Sequence, residues 1–432
     1  MTRITLGIIG LGYIGLPVAL SFAKKYRVVG FDLNKKRIKD LNDYNDTNNE
    51  FKKTKIKSSK KNIIFTSNPV HLSNCKIYII TVPTPIKKNK EPDLSFILKA
   101  SKTVSRYLNN GDYIIYESTV YPGATNEYCV PIIEKYSSLK CRTEHNYNKF
   151  KNNHFFVSYS PERINPGDKI HTFENINKIL AASTRSAASY LAKIYSSVIN
   201  CEVKIVKSIK IAEAAKVIEN TQRDINIAFI NELSIIFSKL NIDTKEVLKA
   251  ASTKWNFINF KPGLVGGHCI SVDPYYLTYK SKQSGYNPKL ILSGRKINNF
   301  MSLHVVEVIN KLIRKNFSKK NIKILIMGLS FKENCSDLRN TQVLNIYNKL
   351  NSKYNIDLYD PNVNKNEIKK IFKIKPIDTI KKNTYELVLV AVAHRSFKKI
   401  GITKIKSFLK LNKKMIVDIN GLFLKKDTIF RL

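Results

Sequence analysis

Residues 4–32 read ITLGIIGLGYIGLPVALSFAKKYRVVGFD, and this stretch decides the fold of the first part of the chain. An apolar strand pattern leads into Gly10, Gly12 and Gly15, which have the spacing G-x-G-x-x-G, and an apolar helix pattern and a second strand follow. In that context Gly10 permits a tight turn, Gly12 lets a pyrophosphate approach the backbone, and Gly15 lets helix and strand pack closely. The stretch therefore predicts a Rossmann-like dinucleotide-binding unit.

The residue after the second predicted strand, Asp32, bears on the choice of dinucleotide. It stands twenty residues after Gly12, where a carboxylate can accept both ribose hydroxyls of NAD and would repel the 2′-phosphate of NADP. Lys35, Lys36 and Arg37 follow and leave a role for NADP open. We predict NAD as the cofactor.

Further strand patterns predict that the fold continues as a doubly wound sheet. Ligands of such sheets lie beyond the carboxyl ends of the strands, and polar turns follow three of the predicted strands there. These turns are TVPTP at 81–85, EST at 117–119 and SPER at 160–163. Three polar turns in corresponding positions favour a ligand site over ordinary turn chemistry. The polar, irregular segment 140–153 is predicted to be a surface loop.

Residues 211–240 contain no Gly or Pro and repeat apolar residues at helical spacing, which predicts one long helix joining two domains. Lys216 and Asn220 are four residues apart on it, so both project from one face and could reach one ligand. A solvated face would also explain the lysine. The polar residues around Asn220, however, are more than a core-facing helix needs.

The stretch FKPGLVGGHCISVDPYY, residues 260–276, carries the candidate nucleophile. Cys269 follows a double glycine, which would let a substrate approach the backbone, and Asp273 stands four residues on. A nearby carboxylate raises the pKa of a thiol, so an activating cation would have to come from elsewhere, with Lys216 as the candidate. Alternatively, Cys269 is one of six small buried cysteines.

A second α/β pattern opens with a strand at 323–328 and continues with strands at 356–359, 387–393 and 415–419. It has no dinucleotide fingerprint. Lys332 and Arg339 instead follow its first strand, where a phosphorylated ligand would lie. The fold class predicted for the chain is therefore α/β, with two Rossmann-like doubly wound domains joined by a long central helix.

Composition limits the remaining function classes. The cysteines form no C-x-x-C pair and the histidines no cluster at metal spacing, so we expect neither disulfides nor a metal site. No signal peptide and no run of about eighteen apolar residues is found, which predicts a cytoplasmic protein without a membrane span. The net charge of +41 suggests nucleic acid, but the basic residues are spread over every region, and we expect no nucleic-acid partner.

Seven motifs follow one another along the chain: GLGYIGLP, TVPTP, ESTVYPG, SPERINPGD, AEAAKVIENTQRD, PGLVGGHCISVDPYY and FKENCSDLRNT. Taken in this order, they resemble the UDP-glucose/GDP-mannose dehydrogenase family over essentially the whole chain, and within it the branch acting on UDP-N-acetyl-hexosamines. The resemblance implies oxidation of the sugar C6 hydroxyl to a carboxylate, with two NAD and a thiohemiacetal and thioester on Cys269. The expected substrate is UDP-GlcNAc, with UDP-GalNAc, UDP-ManNAc and UDP-glucose as alternatives, for surface polysaccharide biosynthesis. A nucleotide-sugar binding protein without turnover is the non-enzymatic alternative.

The resemblance also implies roles for individual residues. Lys216 and Asn220 would stabilise negative charge on the C6 oxygen, Thr119 and Asp273 would hold a water used as base, and Glu162 would be the base for hydrolysis. The residues expected to bind the cofactor are Gly10, Gly12, Tyr13, Ile14, Gly15, Asp32, Arg37, Thr84, Thr119 and Arg339. Those expected to bind the UDP-sugar are Glu162, Arg163, Lys216, Asn220, Phe260, Gly263, Gly266 and Lys332.

The resemblance implies three domains and an oligomer. The domains are an NAD-binding one at 1–207, a central helical one at 208–314 with the cysteine loop, and a UDP-binding one at 315–432. A homodimer or higher homo-oligomer, paired through the long helix, is expected.

The chain departs from the glucose-type members at three points. GGHCISVD replaces GGSCFPKD, Pro166 stands where those members carry a second glutamate, and Asn420 aligns with a substrate-binding arginine. The proline puts a two-glutamate hydrolysis scheme in doubt.

Overall fold

The computed structural model describes residues 4–48, 50–146, 149, 152–164, 168, 170–267, 269–318, 321–410, 415–424 and 430–432. The chain divides into two compact units. The N-terminal unit comprises Met1–Glu219 and Tyr275–Gly285, and the C-terminal unit comprises Asn220–Pro274 and Tyr286–Leu432. The three-domain division predicted above stays a prediction.

The N-terminal unit is built on a sheet with nine strands among the described residues. In chain order these are β1 (Thr5–Ile9), β2 (Arg27–Phe31), β3 (Ile63–Thr66), β4 (Ile77–Ile80), β5 (Asp112–Tyr116), β6 (Lys140–Cys141), β7 (His154–Tyr159), β8 (Lys178–Ala182) and β9 (Val203–Ile205). Their order is β3-β2-β1-β4-β5-β7-β8-β9, with β6 also paired to β7. All pairs are parallel except β7 with β8, which is antiparallel. The order 3-2-1-4-5 is the winding of a dinucleotide-binding Rossmann fold.

Among the described residues, six α-helices lie between these strands along the sequence. They are α1 (Gly15–Phe22), α2 (Lys35–Asn42), α3 (Lys53–Ser59), α4 (Ser95–Ser105), α5 (Val130–Ser137) and α6 (Arg185–Ser196). Every residue of α1 is buried, as its apolar sequence requires. The core of the unit joins the apolar residues of β1 and α1 to those of α6. The predicted Rossmann-like unit is therefore confirmed.

The long central helix is present as α7 (Ile209–Lys239), 31 residues without a break. Next come α8 (Thr244–Ala251), α9 (Asp273–Gln283) and α10 (Lys289–Asn316). Within the C-terminal unit, α7 and α10 are linked by a buried polar cluster. Asp224 accepts from Arg295 Nη1 at 2.6 Å and from Asn298 Nδ2 at 2.7 Å.

The C-terminal unit contains a second, fully parallel sheet. Its strands are β10 (Lys323–Met327), β11 (Asn355–Tyr359), β12 (Leu387–Val390), β13 (Ile416–Asp418) and β14 (Phe430–Arg431), in the order β11-β10-β12-β13-β14. The helices that alternate with them are α11 (Gln342–Asn351), α12 (Lys365–Phe372) and α13 (Arg395–Lys406). Strands buried on both faces read as continuous apolar runs, which is why this sheet was predictable.

The prediction of a surface loop at 140–153 is wrong for its first two residues. Lys140 and Cys141 form β6 beside β7, and Cys141 is buried. Its N–H donates to Glu134 Oε1 at 2.9 Å, so α5 fixes this strand. A two-residue strand leaves no periodic signal in the sequence, and the pattern of polar residues therefore concealed it.

Candidate functional site

The glycine fingerprint of the N-terminal unit has the geometry of a dinucleotide site. Gly10 has φ +94°, which other residues rarely adopt, and a Cβ on Gly15 would lie 1.7 Å from the Gly10 oxygen. A Cβ on Gly12 would meet nothing within 4 Å, so open space adjoins the backbone there. Tyr13 and Ile14 follow, both partly exposed, and lead into α1. This open turn before a helix N-terminus fits a pyrophosphate.

Asp32 lies at the end of β2 with its carboxylate held by backbone N–H groups. Oδ2 accepts from Leu11 N and Oδ1 from Asn34 N, both at 2.8 Å. The side chain remains partly exposed, and carboxylate oxygens have further lone pairs for ribose hydroxyls. The residues present therefore fit NAD.

Arg37 is buried and its charge is matched inside the fold. Its Nη1 lies 2.8 Å from the Asp46 carboxylate and 3.0 Å from Thr47 Oγ1, and its Nε donates to Leu11 O at 2.9 Å. A guanidinium paired in this way steadies the backbone next to the fingerprint. Its assignment to the cofactor stays a prediction.

Thr84 and Thr119, both predicted to bind the cofactor, lie together in the N-terminal unit. Thr84 Oγ1 donates to Thr119 O at 2.7 Å. Tyr276, which the sequence analysis did not select, donates from its hydroxyl to Thr84 O at 2.7 Å. Tyr276 is 0% exposed, so this bond fixes the turn after β4 from a second element.

Glu162 belongs to a buried charged cluster that sequence reasoning missed. Lys178 Nζ, at the start of β8, lies 3.1 Å from Glu162 Oε2 and 3.1 Å from Glu117 Oε1. Tyr195 of α6 donates its hydroxyl to Glu117 Oε1 at 2.5 Å. The only signal in the sequence was a lysine that opens an otherwise apolar strand.

Lys216 is buried on α7, at 7% exposure, and a solvated face does not explain it. Three residues earlier, Glu213 accepts from Gly123 N at 2.5 Å and Thr125 N at 2.9 Å. Burial raises the pKa of Glu213, while these donors act in the opposite direction. Through Glu213, the turn after Thr119 is anchored to the same helix as Lys216.

Arg163, predicted to contact the substrate, has partners within the N-terminal unit. Its Nη2 forms an ion pair with Glu219 of α7, and its Nη1 donates to Asn177 O at 2.9 Å. These bonds position the segment that carries Glu162. Pro166 lies outside the described residues.

In the C-terminal unit, Asn220 of α7 is joined to Asp273 at the start of α9. Asn220 Nδ2 donates to Asp273 Oδ2 at 2.5 Å, and both side chains are buried. Cys269 is partly exposed, and its carbonyl accepts from Val272 N at 3.0 Å and Asp273 N at 2.8 Å. The structure thus brings together Asn220, Asp273 and the turn that carries Cys269. His268 lies outside the described residues.

The double glycine before Cys269 has a packing reason that the sequence analysis did not foresee. A Cβ on Gly266 would lie 2.9 Å from Asn340 O, and one on Gly267 would lie 2.8 Å from the Phe331 ring. The glycines therefore admit the chain's own segment after β10. Gly266 also lines a cavity.

That cavity, of about 290 Å³, is where Lys332 lies. Lys261, Lys332 and Asn420 line it together with backbone at the carboxyl end of β12. Phe260 lines a neighbouring cavity of about 300 Å³, which shares Lys261 and Asn420 with the first. Two lysines beside the carboxyl ends of parallel strands are suited to a diphosphate.

Two other predicted residues of the C-terminal unit have internal partners. Gly263 exchanges hydrogen bonds with Asn231 of α7, at 2.8 Å from its N–H and 3.0 Å to its oxygen. Arg339 Nε lies 3.0 Å from both oxygens of the Asp337 carboxylate. Their assigned roles stay predictions.

A cavity of about 1170 Å³ in the N-terminal unit contains none of the predicted site residues. It lies beside β6 and the first turn of α7. Across the described ranges, no group of three or more His, Cys, Asp or Glu could hold a metal ion. In the same part of the chain, no helix has the length and hydropathy needed to cross a membrane.

The chain matches the three domain models of one family. The NAD binding domain, the central domain and the UDP binding domain of the UDP-glucose/GDP-mannose dehydrogenase family match residues 4–199, 210–300 and 325–425. The chain belongs to this family, and it is an NAD-dependent UDP-sugar dehydrogenase.

Individual relatives are similar over nearly their full length. The UDP-N-acetyl-D-glucosamine 6-dehydrogenase of Salmonella typhi is 46% identical, across 100% of this chain and 99% of its own. Protein CapL of Staphylococcus aureus is 48% identical, across 96% of each chain. The solved UDP-D-ManNAc dehydrogenase of Pyrococcus horikoshii has a TM-score of 0.86 at 26% identity, covering 99% of this chain and 98% of its own.

Proposed function

We propose that this protein oxidises the C6 hydroxyl of UDP-N-acetylglucosamine to a carboxylate, in the biosynthesis of a surface polysaccharide. The observation that supports this substrate assignment is the sequence identity to named relatives. Two UDP-N-acetyl-D-glucosamine 6-dehydrogenases are 46% identical, whereas UDP-N-acetyl-D-mannosamine dehydrogenases are 30% to 32% identical. The role in surface polysaccharide biosynthesis rests on the family resemblance of the sequence motifs.

NAD, when bound, supplies the hydride acceptor for each of two successive oxidations at C6. In the first oxidation, side chains of the protein remove the proton of the C6 hydroxyl and stabilise the negative charge on its oxygen. Lys216, a buried lysine, stabilises that oxygen as it becomes negative, together with Asn220. Thr119 and Asp273 hold the water that takes the hydroxyl proton. The bond from Asn220 to Asp273 supports a shared role for these two side chains.

Cys269 retains the aldehyde. Its sulfur adds to the aldehyde carbon, the S–H bond breaks and its proton goes to the former carbonyl oxygen, and a thiohemiacetal forms. Loss of a hydride from that carbon and of a proton from its oxygen then gives a thioester. The partial exposure of Cys269 supports this role, because a fully buried thiol could not reach a sugar.

Glu162 is the base for the last step. Water forms the new C–O bond, its proton passes to Glu162, and the C–S bond breaks with the electron pair left on the sulfur. Overall, one alcohol, two NAD and one water give one carboxylate, two NADH and three protons. Lys332 and Lys261 bind the UDP diphosphate in the cavity that they line.

We infer that the protein is a cytoplasmic homodimer. Large apolar side chains are exposed along the helices of the C-terminal unit, including Phe229 and Leu240 on or directly after α7 and Leu290 on α10. Exposed apolar surface of this kind is typical of a protein interface. A second copy of the same chain, which presents the same face, would cover it.

Incubation of the purified protein with NAD and a panel of UDP-sugars tests the substrate. UDP-GlcNAc, UDP-GalNAc, UDP-ManNAc and UDP-glucose should be compared by kcat/KM from NADH absorbance, and each product should be identified by mass. We expect UDP-GlcNAc to give the highest value and a product heavier than the substrate by one oxygen and lighter by two hydrogens. A higher value with UDP-ManNAc or UDP-glucose would refute the substrate assignment, and no NADH with any sugar would refute the activity.

A further inference from the structure

The carboxylate assigned to hydrolysis is not isolated, because it shares one lysine with a second buried carboxylate. Lys178 Nζ lies 3.1 Å from an oxygen of Glu162 and 3.1 Å from an oxygen of Glu117. The exposures of Glu117, Glu162 and Lys178 are 1%, 3% and 1%. We call these three side chains, with Tyr195, the buried cluster.

The two carboxylates have different surroundings. Glu162 Oε1 accepts from the N–H groups of Arg163 at 2.6 Å and Ile164 at 2.7 Å, so it is oriented from both sides. Glu117 Oε1 accepts from Tyr195, but its Oε2 is buried and has no hydrogen-bond partner in the described part of the chain. Donors stabilise an ionised carboxylate, and an unpartnered buried oxygen disfavours it. The ionised form of Glu117 is therefore disfavoured.

The total charge of the buried cluster suits the uptake of one proton. With both carboxylates ionised and Lys178 protonated the cluster carries a net charge of −1, and one added proton makes it neutral. Burial favours the neutral total, because net charge away from water is costly. If Glu117 carried no charge, the same proton would leave a buried net charge of +1.

We propose that Glu117 and Lys178 are positioning residues for hydrolysis of the thioester: Lys178 holds Glu162 Oε2, and the negative charge of Glu117 offsets the lysine so that Glu162 can take the proton of the attacking water. This inference rests on the proposed function, in which Glu162 is the hydrolytic base. Neither Glu117 nor Lys178 touches the substrate in this scheme, and both act through Glu162.

The titratable groups that act on Glu117 come from three parts of the N-terminal unit. They are Lys178 of β8, Glu162 after β7 and Tyr195 of α6, and the uncharged ring of Phe173 lies 5.1 Å from Lys178 Nζ. Burial raises the pKa of Glu117 to about 7, with Glu162 acting in the same direction and Lys178 against it. The charge of Glu117 therefore changes near neutral pH.

The test follows the covalent intermediate in Glu117→Gln, which keeps the shape of the side chain and an oxygen for both Lys178 and Tyr195. Enzyme mixed with NAD and UDP-GlcNAc would be quenched at intervals, and the adduct on Cys269 would be measured by intact mass at several pH values. NADH released in the first turnover would be counted in parallel.

We expect Glu117→Gln to release the usual two NADH per site in the first turnover and then to lose the adduct about tenfold to a hundredfold more slowly than the wild type at pH 7. The slowing should be smaller below pH 7, where Glu117 of the wild type is itself protonated and carries no charge. Tyr195→Phe, which removes one donor to Glu117 without a change in volume, should act in the same direction more weakly. Glu134→Gln is the matched control, because Glu134 also bonds a lysine, at 3.2 Å, and a backbone N–H in the same unit.

An adduct that decays in Glu117→Gln and Tyr195→Phe at the wild-type rate and with the wild-type pH dependence would overturn the inference. A failure of the proposed function is distinguishable, because the wild type would then form no adduct. Glu162→Gln tests the base independently of the positioning residues. If Glu162 is the base, this variant should accumulate the adduct, whatever the result with Glu117→Gln.

Discussion

Individual side chains carry most of the chemistry, and Asp32 shows how closely a residue and its backbone setting cooperate. Two N–H groups fix its carboxylate at the end of β2, and Arg37, five residues further on, is already paired with Asp46. A 2′-phosphate would therefore meet an oriented carboxylate, while the Arg37 guanidinium is engaged elsewhere.

We expect NAD to be preferred over NADP by about a hundredfold in kcat/KM, since an unpaired charge repulsion in a partly buried site costs about 3 kcal/mol. Steady-state rates at several concentrations of each cofactor measure this ratio. Lys35→Ala and Lys36→Ala should leave it unchanged, because both lysines are exposed. Equal values for the two cofactors would instead indicate that these lysines hold a phosphate.

Lys216→Ala should lower kcat by about two to three orders of magnitude with little change in KM, because the oxyanion that it stabilises exists only in the transition state. Lys210→Ala is the control, since Lys210 lies on the same helix but is exposed. A large rise in KM with kcat retained would show that Lys216 only binds substrate.

The sequence indicated the residues with short-range signals and missed those defined by long-range contacts. Gly10, Gly12 and Gly15 lie close together in the sequence, so their spacing between a strand pattern and a helix pattern predicted the turn that the structure shows. Glu117 and Lys178 are 61 residues apart, and only the pairing of strands brings them together. The packing of Gly267 against Phe331 was hidden for the same reason.

Among whole elements, α7 is held to α10 by buried polar contacts. In the C-terminal unit its Asp224 is 0% exposed and is bonded to Arg295 and Asn298 of α10. A buried ion pair of this kind adds little over an apolar pair, but the loss of one partner leaves the other charge buried and unmatched.

Asp224→Ala should therefore destabilise the protein by about 3–5 kcal/mol, because Arg295 would keep its charge in a site that is 3% exposed. Urea unfolding followed by circular dichroism measures the change. The control is Asp378→Ala, which breaks the exposed ion pair with Lys365 in the same unit and should not move the midpoint detectably. Equal midpoints for both variants would show that the bonds of Asp224 to Arg295 and Asn298 are energetically unimportant.

The positions of helices and strands were predictable where burial of one face or both faces leaves a regular pattern of apolar residues in the sequence. β2 ends directly before Asp32, as predicted for the second strand, and α7 begins and ends within two residues of the predicted helix. The antiparallel pairing of β7 with β8 was not predictable, since an apolar strand pattern does not state its direction.

At the scale of the whole molecule, several large apolar side chains are exposed to solvent in a single copy of the chain. Phe229 is 54% exposed, Leu240 60% and Leu290 69%. Phe229 and Ile236 of α7 are seven residues apart, which places them on one side of that helix, and Leu240 follows directly after its end.

Phe229→Lys combined with Leu240→Lys should convert the dimer to a monomer, because two buried charges would face their copies across the symmetry axis. Light scattering after size-exclusion chromatography gives the mass. Ile64→Lys, a change at an exposed apolar residue on β3, should leave the mass unaltered. A wild-type mass of one chain at micromolar concentration would contradict the inferred dimer.

The central claim is that one thiol carries the sugar through both oxidations, and Cys269→Ser tests it most directly. A serine hydroxyl is a far weaker nucleophile than a thiolate near neutral pH, and its ester hydrolyses more slowly than a thioester. The variant should bind NAD and UDP-GlcNAc normally and lose steady-state turnover by about a thousandfold or more. Intact mass should show the sugar retained as an ester, or the aldehyde should be found in solution. Free uronic acid, formed with two NADH per sugar at a rate near that of the wild type, would contradict the account.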